Sequence, residues 1–153
     1  MGILRPEPTS TAEWQSLVAE AEVKTGYMFD VGIESYLVIT LDRYTTENNL
    51  GSSIIALDFL KNVSNSASKQ SSASLRDVGD QCLLLSGLFP ERAIRKNVPL
   101  NYFIGIGQQA YLALTDLRLK HQFDPELFEQ LSAHFVGLMD LLHAMRSLKS
   151  NSS

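Results

Sequence analysis

An all-α fold, one domain built as a bundle of five or six helices, is what this chain predicts, and three observations carry the expectation. Apolar residues recur at three- and four-residue intervals through most of the sequence. Helix-starting and helix-stopping residues bracket those runs. The length of 153 residues, with 44% hydrophobic and 20% charged side chains, suits a single closed core. Residues 1–10 read as an N-terminal extension, 11–149 as one helical domain and 150–153 as a frayed tail, with no internal repeat.

The first helix is expected over 11–24. Ser10 and Glu13 have the spacing of a capping box, Trp14, Leu17, Val18 and Ala21 follow at helical intervals, and Gly26 stops the run. A second is expected over 31–46 with Asp30 as its cap, since Ile33, Tyr36, Leu37, Thr40, Leu41 and Tyr44 share one stripe. The β-branched cluster Val38-Ile39-Thr40 favours strand, but the period and length favour helix. A short third helix follows over 53–63. Residues 64–74 hold six serines in eleven positions and too little apolar area to offset their ordering entropy, so a flexible connection is expected there.

From Leu75 the chain is strongly apolar up to Pro90, which bars helix through that point. Another helix is expected over 100–121, apolar on nearly every side apart from a sector with Gln108, Gln109, Thr115 and Asp116, as in a helix enclosed by its neighbours. The last is expected as one continuous helix over 125–148. Asp124 caps it, Pro125 takes the first turn, and Glu126 and Glu129 complement the positive end of its dipole. On this helix Leu127, Phe128, Leu131, Phe135, Leu138 and Leu142 share a face with His134, while Ser132, Asp140 and His143 lie opposite.

Charge and composition exclude several functions. A formal charge of −4 argues against nucleic-acid binding, and the one dense basic cluster, Arg92, Arg95 and Lys96, is too small to track a phosphate backbone. The imbalance sits in the first half, where residues 1–74 carry nine acidic and five basic side chains. The start lacks the apolar stretch of a secretory signal, and Pro6 stands where a myristoylation motif needs Ser or Thr. The nineteen uncharged residues 97–115 are long enough to span a bilayer, yet they include Asn97, Pro99, Asn101, Gln108 and Gln109, so a buried helix is the better reading. The expectation is a cytoplasmic protein that engages neither membrane nor nucleic acid.

Candidate chemistry is sparse. Gly105-Ile106-Gly107-Gln108-Gln109-Ala110 fits G-x-G-x-x-A, with Asp124 downstream, but a dinucleotide site needs a strand on each side of its helix. The glycines are read instead as points of close helix approach or a kink. His121, His134 and His143 lack the Glu-x-x-His spacing of a di-iron bundle, so no metal is expected. Cys82 is the only cysteine, set among leucines as a small buried hydrophobe. Ser86 precedes Gly87 without the rest of a nucleophile elbow.

The most unusual stretch begins at Leu75. Arg76 and Asp80 are four apart and can pair, whereas Asp77 and Asp80 repel unless a cation or an arginine comes between them. Two readings stand: a charged start to a core helix, or a polar cluster at the mouth of a helical pocket. The pattern L-R-x-x-G-D-x-x-L-L-x-x-G-L-F-P-E, with the following Tyr102-Phe103-Ile104-Gly105-Ile106-Gly107-Gln108-Gln109-Ala110-Tyr111, resembles a small bacterial family of helical proteins. It spans 75–114 and rests on Gly79, Asp80, Gly87, Phe89, Pro90, Gly107 and Tyr111. The resemblance implies a bacterial cytoplasmic source and a helical fold, and nothing catalytic.

The function expected is therefore a non-enzymatic helical interaction module, an adaptor or regulator that binds a protein partner or a second copy of itself, with no cofactor. The alternative is a small-molecule binder or enzyme with a pocket between the 75–89 and 100–121 helices, its ligand fixed by Arg76, Asp80, Tyr102, Tyr111 and His134.

Overall fold

The computed structural model describes residues 10–47, 72–91, 99–116 and 124–151. They form six packed helices, with no strand among the described residues: α1 (Ser10–Thr25), α2 (Val31–Glu47), α3 (Ser72–Leu88), α4 (Leu100–Ala113), α5 (Pro125–Ala133) and α6 (Phe135–Asn151). The expected helix over 53–63, the basic cluster at 92–96 and His121 lie outside the described residues.

Local chemistry sets the turns. Gly26 adopts a φ of 82°, the left-handed conformation a glycine takes without steric cost, and its N–H donates to Glu22 O at 2.9 Å to close α1. Asp124 accepts from the Glu126 N–H at 3.0 Å and Pro125 takes the first turn of α5, as expected. α3 stops at Leu88, two residues before Pro90. Arg146 of α6 donates to Leu88 O at 3.1 Å and to Glu91 at 2.9 Å, giving a helix-end carbonyl a cationic partner.

Packing differs from the sequence expectation in three places. The expected continuous helix over 125–148 is broken at His134, whose backbone (φ −100°, ψ 15°) leaves the helical region. The break lets the two halves obey different neighbours. α5 is pinned to α4, where Ser132 Oγ donates to Gln108 O and Gln108 Nε2 to Ser132 O, while α6 lies against α1 and α3. It also resets the helical phase, so Ser132 is buried and His134 is exposed, edge-on to Phe29 at 5.9 Å. Secondly, α4 ends at Ala113, eight residues before the expected end. Tight i→i+3 bonds from Leu114, Thr115 and Asp116 close it, and the Thr115 hydroxyl takes Leu112 O at 2.6 Å. Thirdly, residues 72–74 of the expected flexible connection are the first turn of α3, a place that tolerates serine well.

α3 and α4 make the most extensive helix contact, and Gly107 explains part of it: an added Cβ would lie 2.5 Å from Phe135 and 3.0 Å from Cys82. Gly105 has nothing within 4 Å, so close approach is the reason for one glycine and not the other. The centre of the core is aromatic. Tyr111 stacks on Phe128 at 6.0 Å, Tyr36 meets both rings edge-on, and Phe135 closes the far side. Burying a side chain of this size is worth about 1.5–3 kcal/mol.

A buried carboxylate knot and an open acidic groove

Asp80 lies inside this aromatic centre at 1% exposure, and its position follows from helix periodicity. α3 is buried on nearly every side, and Asp80 shares an i, i+3, i+4, i+7 stripe with the buried Leu83, Leu84 and Gly87, opposite the stripe of Leu75, Val78, Cys82 and Leu85. The carboxylate is made tolerable by donors from two other helices. Tyr36 of α2 donates to Oδ1 at 2.7 Å and Tyr111 of α4 to the same oxygen at 2.6 Å. Arg43 of α2 comes within 3.5 Å of Oδ2 and donates to Asp77 at 2.6 Å, so an arginine does stand between the two aspartates. Arg43 also donates to the Tyr44 hydroxyl at 2.7 Å, and that hydroxyl donates to Asp77 at 3.4 Å. Gly79 permits the arrangement: a Cβ there would sit 2.5 Å from the Tyr111 ring.

Burial dominates the electrostatics. It pushes the Asp80 carboxyl up to about 6, while the Tyr111 and Tyr36 hydrogen bonds and then Arg43 and Arg76 pull it back. Tyr111 and Tyr36 move far upward, first through burial and then through the Asp80 charge, so both stay protonated donors. Burial and the two aspartates raise Tyr44 to about 12. Burial opposes the Arg43 cation, but Tyr44 and the aspartates outweigh it and its pKa rises.

Of the five residues singled out from sequence, the structure brings Asp80 and Tyr111 into one hydrogen bond and places Arg76 within electrostatic reach of Asp80. Tyr102 sits nine residues before Tyr111, about 13–14 Å along α4, against Phe103. His134 is exposed at the α5–α6 break. Sequence reasoning passed over Arg43, Tyr36 and Tyr44. The detectable sign was an arginine seven residues after Tyr36, on the same helical face.

Other candidates have structural occupations. Ser86 Oγ donates to Cys82 O and Leu83 O. The Cys82 thiol is buried, and burial with the nearby Asp80 pushes its pKa up, away from nucleophilic character. Asp140 accepts from the Tyr27 hydroxyl at 3.0 Å. Among the described residues no three His, Cys, Asp or Glu side chains converge as metal ligands, and no helix is long and apolar enough to cross a membrane.

A second feature is open. α1 and α2 pack against each other and leave a groove of about 220 Å³ lined by Gln15, Val18, Ala19, Glu22, Val31, Glu34, Ser35 and Val38. Glu22 accepts the Phe29 N–H at 3.0 Å, which fixes its carboxylate at the turn end. A hydrogen bond with Glu22, then burial and the Glu22 charge, raise Glu34 to about 7. Of the seven exposed large hydrophobics among the described residues, five belong to this hairpin: Val23, Tyr27, Met28, Val31 and Ile39.

No family model, curated protein or solved structure matches this chain.

Proposed function

We propose that this protein is a non-enzymatic helical interaction module of the bacterial cytoplasm, and that the α1–α2 hairpin is its docking face. The observation that carries the reading is the concentration of exposed apolar side chains there, with Met28 at 92% and Val31 at 76% exposure. Clustered apolar side chains on a surface mark contact sites, whereas scattered ones do not. The knot around Asp80 supports the non-enzymatic half of the reading, since its polar atoms are engaged with one another. A buried free thiol suits a reducing compartment.

Charge favours an unlike partner over a second copy. Between Ser10 and Glu47 the chain carries seven acidic and two basic side chains, a net of −5, and Arg43 is occupied by Asp77 and Asp80. An isologous dimer through this face would appose two such surfaces. The test is photocrosslinking in cells of the source organism, with the reactive side chain at Met28 and, as control, at Glu129 on α5. A discrete heterologous adduct from Met28 alone is expected. Equal labelling from both positions, or none from Met28, would refute the docking face.

A further inference from the structure

We propose that the α1–α2 groove seats a basic amphipathic helix of the partner, with an apolar stripe on the groove floor and a lysine or arginine set between Glu22 and Glu34. The inference rests on the interaction-module reading and names the occupant of its docking face.

Spacing is the first argument. On α1 the lining residues fall at Gln15, Val18/Ala19 and Glu22, and on α2 at Val31, Glu34/Ser35 and Val38. Each is an i, i+3/i+4, i+7 stripe, the surface one helix offers to another. Two such stripes side by side make the seat for a third helix. The stripe covers two turns, about 10 Å, and asks for anchors at the same intervals on the occupant.

Relief is the second. Val18 and Val38 are buried and form an apolar floor, whereas Ala19 and Ser35 on the rims are small and exposed. Small rims let a third backbone approach to the 8–10 Å typical of packed helices. Val31 ends the seat at the turn. Ile39, four residues after Ser35 and 65% exposed, extends the apolar rim at the other end.

Charge complementarity is the third. Glu22 and Glu34 are the two titratable side chains of the lining, and the hairpin around them is strongly acidic. The backbone bond from Phe29 holds Glu22 in place, so two carboxyl groups converge where a single cation can satisfy both. An anionic or uncharged helix would leave them apposed and unbalanced. An anionic lipid surface is disfavoured on the same ground.

The test uses the intact chain and fluorescence anisotropy with three synthetic helical peptides: one with leucines at i, i+3, i+4 and i+7 and lysines elsewhere, a scramble of the same composition, and a version with glutamate for lysine. The patterned lysine peptide is expected to bind at least about tenfold more tightly than the other two. Val31→Asp should weaken it by about tenfold and Glu34→Gln by about three- to tenfold, while Glu129→Gln changes nothing. Ser35→Arg, which fills and recharges the groove from an exposed position, gives the same loss should Val31→Asp fail to fold. Equal binding of the scramble, indifference to both groove substitutions, or binding to phosphatidylcholine vesicles in place of peptide would overturn the inference. Crosslinking from Met28 that persists alongside any of these results would leave the docking face standing and remove only the basic helix.

Discussion

Two acidic places in this molecule are handled in opposite ways. At Asp77 and Asp80 the repulsion between neighbouring carboxylates is resolved within the chain, because α2 brings an arginine and two tyrosines to them. At Glu22 and Glu34 no cation among the described residues pairs with either carboxylate, and the Glu22 side chain with partial burial raises Glu34 to about 7. One site is buried at the meeting point of three helices, and the other opens between two. A closed polar cluster specifies how helices fit, whereas an open one with an apolar floor is suited to being completed from outside.

The contrast predicts a graded series of effects. The largest is Asp80→Ala, which strips the acceptor from Tyr36 and Tyr111 and leaves Arg43 one carboxylate short. Breaking a buried pair in this way costs about 3–5 kcal/mol, read as a lower denaturation midpoint in urea. A midpoint within error of the parent would show that the knot does not hold α2 in place.

The next is a pH dependence with a definite sign. The Asp80 carboxyl rises from an ordinary 3.8 to about 6 in the fold, so the native state binds its proton more tightly than the unfolded chain does. Its contribution to stability is therefore complete below about pH 4 and lost as pH rises through about 6. A two-unit shift is worth about 3 kcal/mol. Asp80→Asn, which keeps an acceptor and cannot titrate, should remove this component. The stability difference between parent and variant, measured by urea unfolding from pH 4 to 7, should change over that window, and a flat difference would mean that the carboxyl is not perturbed.

The smallest expected effect is at the groove. Val31→Asp alters an exposed side chain that packs on nothing in the core, so stability should change by no more than about 0.5 kcal/mol even as peptide binding falls. A large loss of stability would make Val31 part of the core and merge the two regions into one.

Parts of this contrast are visible in the residues themselves. Asp80 and Tyr111 stand out because a carboxylate and a phenol fall within apolar helical faces, and the need for a cation between Asp77 and Asp80 follows from their spacing. That the cation is Arg43 does not follow. Tyr36 and Tyr44 read equally well as rings in an apolar stripe, and choosing Arg43 over any other arginine requires knowing which helix lies beside α3. His134 shows the opposite failure. Projecting 125–148 as one helix puts it in the core, and one residue outside the helical region turns it to solvent.

By itself the sequence determined that the protein is helical, where most of its helices begin and end, and that its interior is apolar, because periodicity and capping act over a few residues. Tertiary structure alone decided which side chains neutralise Asp80, that the last helix breaks at His134, and that Glu22 and Glu34 line one groove. The partners of Asp80 stand 31 to 44 positions from it, and the break and the groove arise from helices competing for the same core, which no local pattern encodes.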